Sequence, residues 1–255
     1  MHRNRGKSLG VLLILLLGMT QLAFGSTDRN TSTRRPHIVL ILADDLGWGD
    51  VGYHGSEINT PHIDALAAAG ARLIRFYVMP VCSPTRGALL TGRHPIRLGL
   101  QCGVVRPWAT HGLPTDERTL PQALKEVGYR TAIVGKWHLG HNDRSYLPTN
   151  RGFDLQYGHY NGALDYFTHI RDGGHDWHRN DRRNDDNGYA TDLIAEEAVR
   201  VIAGHDPAEP LFLYVPFNAP HTPIQAPQKY IEPYTHIKDE KRRIFAGMVA
   251  CMDNA

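Results

Sequence analysis

Residues 37–45 read HIVLILADD, and this run constrains the fold more than any other stretch of the chain. Positions 38–43 are continuously apolar, with Pro36 before them and two aspartates after them. A strand with one wet face alternates apolar and polar residues, whereas a strand buried on both faces of a parallel sheet does not. The run is therefore expected to be an internal strand of a parallel sheet, and parallel neighbours require helical crossovers. The sequence supplies them. Asn59-Thr60-Pro61 gives an N-cap and a first-turn proline to HIDALAAAG, with Gly70 as the stop. TLPQALKEVGYRTAIVGK reads as a helix, a stop at Gly128 and a strand over 131–134, and ATDLIAEEAVRVIAGH leads into a strand over 211–217. This alternation predicts an α/β class domain, layered around a mostly parallel sheet. Residues 157–189, rich in Gly, Asp, Asn, His and aromatics, follow neither period and are expected to form a long irregular insertion beside a substrate rim. No internal repeat is visible.

In such sheets ligands bind beyond the carboxyl ends of the strands. Three expected strands run into chemically rich sequence there: ADD at 43–45, GKWHLG at 135–140 and NAPHTP at 218–223. Asp44 and Asp45 are adjacent carboxylates that fit either a turn or a hard divalent cation. Lys136 and His138 are two apart, so in extended geometry their side chains share a side and Trp137 faces away. His221 sits between Pro220 and Thr222-Pro223 in a stiffened loop, and each of these histidines also fits a plain surface position in a chain with 15 of them.

The remaining signal lies at 81–93, VCSPTRGALLTGR. The chain holds three cysteines, Cys82, Cys102 and Cys251, odd in number and scattered, unlike a disulfide framework or a zinc-finger spacing. If a helix starts near Ser83 with Pro84 in its first turn, Cys82 lies at its positive end and Arg86 one turn on along the same face. A small buried residue or a reactive thiol both fit that place.

The first 25 residues carry Arg3, Arg5 and Lys7, then VLLILLLGMTQLAF and a small-x-small end, which reads as a secretory signal peptide followed by a polar linker over 26–35. This predicts a secreted or periplasmic protein with no stable membrane anchor after cleavage. Without that segment the chain keeps 25 basic against 26 acidic side chains, a formal −1 in place of +2. A near-neutral chain argues against a nucleic-acid partner, so any anion recognition must be local.

Residues 82–92, CSPTRGALLTG, resemble the type I sulfatase motif C-x-P-[S/T]-R-x-x-x-L-T-G, and the likeness extends over 36–255 through ADDLGWGDVGYHG, GKWHLG, PTNRGFD, PFNAPHTP and FAGMVACMD. The runs LLTGRHPIRLGLQ, LPQALKEVGY and LPTNRGFD are similar to the arylsulfatase B branch, the N-acetylgalactosamine 4-sulfatase pattern. The resemblance implies an alkaline-phosphatase-like α/β/α sandwich whose catalytic domain occupies 36–255. It implies a hydrolase of sulfated carbohydrate or aryl sulfate esters, with Cys82 converted to formylglycine by a separate formylglycine-generating enzyme. In that family one hydroxyl of the aldehyde hydrate attacks sulfur and expels the alcohol, and collapse of the remaining hydroxyl to the aldehyde ejects sulfate. Carried over residue by residue, Asp44, Asp45 and position 82 bind a divalent metal, Ca²⁺. Arg86 braces the hydrate, Lys136 binds sulfate or hydrate oxygens, His138 takes the proton at collapse and His221 serves the leaving oxygen.

The family's third metal carboxylate and its neighbouring Asn belong to a later loop, a further sulfate-binding Lys lies beyond that loop, and all three are expected to fall past residue 255. Asp253-Asn254 falls in an expected helix over 244–255 that precedes the loop. The chain is accordingly expected to be an N-terminal portion, inactive alone. A phosphodiesterase or phosphonate hydrolase of the same superfamily, and an inactive glycan-binding product, are the competing expectations.

Overall fold

The computed structural model describes residues 35–255; the expected signal peptide and the linker up to residue 34 lie outside the described residues. Eight strands occur among them: β1 (Ile38–Leu42), β2 (Arg130–Lys136), β3 (Leu155–His159), β4 (Ile170–Arg171), β5 (Gly174–His175), β6 (His178–Arg179), β7 (Arg182–Arg183) and β8 (Leu211–Pro216). The helices are α1 (Pro61–Ala69), α2 (Cys82–Thr91), α3 (Leu120–Glu126), α4 (Ala190–Ala203), α5 (Gln228–Ile231) and α6 (Glu240–Asn254), with short 3₁₀ turns between. The main sheet runs β1-β8-β2-β3-β6-β7; its first four strands are parallel and β6 and β7 add antiparallel.

The two central strands show why continuous apolar runs were needed. Leu211, Leu213 and Val215 of β8 and Ala132 and Val134 of β2 join a core with Ile194 of α4 and Met248 of α6. The alternate residues Phe212, Tyr214 and Ile133 enter a second core with Leu90 of α2 and Phe153 on the opposite face. Both faces are thus covered, and the result is a three-layer sandwich. At Gly135, φ is +134° and a Cβ would run into the Pro216 carbonyl oxygen, so the β2–β8 approach requires glycine.

Two expectations need correcting. Among the described residues β1 lies at the edge of the sheet and not inside it, with Val39 48% and Ile41 58% exposed, while Ile38, Leu40 and Leu42 pack on the second core. Among the described residues only one face of that apolar run is covered. The 157–189 region is also more regular than expected: it begins inside β3, and the β6–β7 hairpin extends the sheet. Its organiser is Trp177, fully buried and stacked on His169 at 4.4 Å, with Tyr157 edge-on at 5.3 Å. Aromatic packing replaces the missing period.

Helix ends follow the local sequence. Gly70 ends α1 with its N–H on the Leu66 carbonyl, and Thr119 caps α3 in a reciprocal box with Gln122. Asp253 of α6 accepts hydrogen bonds from the backbone N–H groups of His62 and Ile63, at 3.2 and 2.8 Å. That residue is therefore a cap for α1. Among the described residues no helix is long and apolar enough to cross a membrane.

Candidate active site

Because β1, β8 and β2 are parallel, their carboxyl ends lie along one margin of the sheet, and the segments that leave them meet there. Asp44 follows β1, Lys136 ends β2 and His221 follows β8. α2 brings the fourth element; it starts one residue before the expected Ser83, with Cys82 as its first residue and Arg86 one turn on. Single donor atoms of Asp44, Cys82 and His221 all lie within 4.8 Å of one another.

The charges around this point are buried. Lys136 and Arg86 are 0% and 1% exposed, and Asp44 is 6% exposed. The Lys136 ammonium donates to Asp44 Oδ2, and Arg86 Nη2 lies 3.6 Å from the same oxygen. Arg86 Nη1 donates to the Lys136 carbonyl at 2.8 Å, which fixes the guanidinium beneath the strand end. Burial opposes ionisation of Asp44, but Arg86 and Lys136 more than offset it and hold the carboxyl below its usual range. Burial, reinforced by Arg86, presses the Lys136 ammonium below its ordinary value while Asp44 resists.

Cys82 is pushed the other way. Burial raises its thiol above the ordinary value, against the lowering by Lys136 and Arg86. The α2 terminus favours an anion there, yet desolvation wins. An unmodified Cys82 is thus a poor thiolate nucleophile in this place.

His138 departs from the extended geometry expected of it. β2 ends at Lys136, and His138 has φ +58°, although its N–H still bonds the Tyr160 carbonyl. Strand alternation therefore does not orient its ring. Its Nε2 lies 2.9 Å from the Val105 carbonyl, so that nitrogen carries the proton and Nδ1 is left as a buried acceptor without a partner. Burial, with Lys136 and Arg86, holds this imidazole neutral, well below its usual value. His221 is oriented by its Nδ1 against the Thr222 carbonyl at 2.6 Å, leaving Nε2 3.7 Å from Asp45 Oδ2. Asp45, with φ +64° and a side chain 62% exposed, thus stands beside His221 and outside the three-atom group.

Several supporting residues carried no sequence signal. Ser83 Oγ donates to the His138 carbonyl at 2.8 Å and accepts from the Val105 N–H at 3.0 Å, tying α2 to the histidine. Tyr166 Oη lies 2.8 Å from the carbonyls of both Asn218 and His221. The Asn218 side chain is buried with neither amide atom partnered. Asn218 could have been suspected from its place after a strand; Tyr166 comes from the aromatic insertion, where nothing marks it.

The donors fit a divalent cation conditionally. Asp44 Oδ1 takes no hydrogen bond from the described residues, while Oδ2 faces Lys136 and Arg86. A thiol and an imidazole suit softer metals, whereas carboxylate oxygens suit Ca²⁺ or Mg²⁺. The set becomes one for a hard ion only if position 82 presents oxygen.

The sequence model of the family described as Sulfatase matches residues 36–255. The chain is 47% identical to mouse arylsulfatase J over 231 residues, which cover 88% of this chain and 39% of that protein. It is 35% identical to mouse N-acetylgalactosamine-6-sulfatase over 242 residues, 86% of this chain and 45% of the relative. The crystal structure of Ps i-CgsB superposes with a TM-score of 0.80 at 36% identity, covering 86% of this chain and 53% of that one. The same protein has been solved in complex with k-i-k-neocarrahexaose. The chain thus spans less than half the length of these two mouse relatives.

Proposed function

This chain belongs to the sulfatase family, and from that membership we propose that its protein hydrolyses sulfate esters of carbohydrates, with position 82 as nucleophile after conversion of the cysteine to formylglycine. The observation that carries this reading is the meeting of Asp44, Cys82 and His221 atoms within 4.8 Å, beside two buried cations, at the carboxyl ends of parallel strands. The raised thiol of Cys82 favours it over thiolate chemistry. Carbohydrate as substrate class draws on the relatives, whose names include an N-acetylgalactosamine-6-sulfatase and a structure holding a neocarrahexaose.

When bound, the aldehyde hydrate supplies a hydroxyl nucleophile, and a divalent cation, proposed as Ca²⁺, lowers that hydroxyl's pKa and neutralises sulfate charge. Asp44, Asp45 and position 82 would hold that cation, with the Lys136 ammonium moving from Asp44 Oδ2 to the sulfate or hydrate oxygens. Arg86 holds position through the Lys136 carbonyl and offsets charge from below. His138 presents Nδ1 as the acceptor for a proton because Nε2–H is committed to Val105. His221 presents Nε2 to the leaving oxygen, with Asp45 placed to pair with the ring when it is protonated. The amino-terminal 25 residues are proposed to direct export, and residues 36–255 to be part of the catalytic domain.

The test is the mass of the tryptic peptide 76–86, FYVMPVCSPTR, from protein isolated from its own source. Formyl in place of CH₂SH at position 82, with turnover of an aryl sulfate that exceeds turnover of the matching phosphate ester, is the expected result. An alkylatable thiol in active protein sinks the mechanism, and preference for the phosphate ester moves the function to phosphoryl transfer.

A further inference from the structure

Asp176 is a buried carboxylate, 4% exposed, that the proposed chemistry leaves without a task. It precedes Trp177 in the aromatic insertion, and its own N–H donates to the His169 carbonyl at 2.9 Å. Both of its oxygens are engaged. Oδ1 accepts from the Tyr160 N–H at 3.0 Å and stands 3.1 Å from His178 Nε2, and Oδ2 accepts from the Asn161 N–H at 2.8 Å. Burial opposes ionisation here, but His178, His159 and the two backbone N–H groups more than offset it and hold the carboxyl well below its usual range.

Those two N–H groups belong to the segment that seats His138. The Tyr160 carbonyl takes the His138 N–H at 3.0 Å, and the Gly162 backbone packs against the His138 ring. A Cβ on Gly162 would come within 2.3 Å of Cε1, 2.5 Å of Nε2 and 2.9 Å of Nδ1, so this approach requires glycine. His138 needs the support, because at φ +58° it has left the β2 ladder, and the Val105 carbonyl holds the ring at Nε2 alone. An imidazole tied at one atom is still free to swing about that tie, and the Gly162 wall blocks the swing. We propose that Asp176 is a positioning residue of this site: it clamps residues 160–162 against His138, so that Nδ1 stays aimed as the proton acceptor. The proposal rests on the role given to His138 under the proposed function.

The experiment uses the full-length protein with position 82 converted and its histidine nitrogens isotopically labelled, as parent, Asp176→Ala, Asp176→Asn and Gly162→Ala. The ring signals of His138, assigned through His138→Gln, report by NMR which nitrogen carries the proton. The parent is expected to carry it on Nε2 alone. Asp176→Ala should show a mixture of the two tautomers, and its kcat on an aryl sulfate, per folded molecule, should fall about tenfold to a hundredfold with KM little altered. Asp176→Asn keeps one oxygen for the backbone N–H groups and should lie between parent and Ala. Gly162→Ala leaves the carboxylate's bonds in place and presses on the ring directly, so it should disturb the same signal and lower kcat even where Asp176→Ala does not fold. An unchanged His138 signal in the folded variants overturns the proposal. A disturbed signal with unchanged kcat overturns it as well, together with the role given to His138. Parent protein that turns over no sulfate ester overturns the functional reading, whereas the clamp itself is judged by the ring signal, which is read without substrate.

Discussion

Arg86 shows how one residue can serve both stability and chemistry. It is 1% exposed, donates to the Lys136 carbonyl at 2.8 Å and offsets the buried Asp44 carboxylate from 3.6 Å. Removing one member of a buried charged group leaves the others uncompensated, at a cost on the order of 3 kcal/mol. Arg86→Leu is expected to lower the urea-unfolding free energy by about that much. Arg86→Lys should recover little, because an ammonium cannot reproduce the planar fork that reaches a carbonyl and a carboxylate together. A Lys variant as stable as the parent in urea would show that charge alone matters here. Asp44→Asn tests the same cluster from its anionic side: it leaves Lys136 and Arg86 without a counter-charge, so stability should fall and the variant should bind Ca²⁺ more weakly by calorimetry in the converted protein.

At the scale of elements, the caps and loop ties have separable consequences. Asp253 joins α6 to the first turn of α1 across 190 residues of sequence. Asp253→Ala should cost about 1 kcal/mol, typical of a lost cap, and speed exchange of the α1 amides selectively. Uniform faster exchange would mean that the residue acts on the whole core. Tyr166→Phe keeps the ring packing on Tyr189 but removes the hydroxyl at the Asn218 and His221 carbonyls. Stability should change by about 1 kcal/mol or less, and in protein isolated from its own source the proposed turnover of an aryl sulfate should fall in kcat with KM little altered. A change confined to KM would place the loop in binding. These elements were unequally legible in the sequence. The fully buried β2 and β8 were visible because their neighbours on both faces leave an unbroken apolar run. β1 carries the same signature, but among the described residues its outer side has no partner, so sequence alone placed it at the centre. Cys82 and Arg86 could be seen through helix start rules and the motif. Tyr166 and Ser83 could not, since they act through backbone carbonyls that any sequence provides.

For the whole molecule, the site writes itself into the pH dependence of stability. His138 and His159 are both buried and held neutral: burial is the chief cause at each, Lys136 and Arg86 add to it, and His159 falls to about 3. In the unfolded chain an unperturbed histidine titrates near 6.5. Above that value both states are neutral and the pair costs nothing. As pH falls below 6.5 the unfolded state takes up protons that the folded state refuses, so stability drops with falling pH, and for His159 the loss continues to about pH 3. The full effect of that one group is bounded at roughly 5 kcal/mol, with a slope near 1.4 kcal/mol per pH unit in mid-range. Urea titrations from pH 7 to pH 4 should show this decline. His159→Gln, which cannot titrate, should flatten it by about one proton's worth even if its stability at pH 7 is lower. An acid limb of equal slope in parent and variant would mean that water or local opening lets the His159 ring ionise in place, despite its stacking on Trp177.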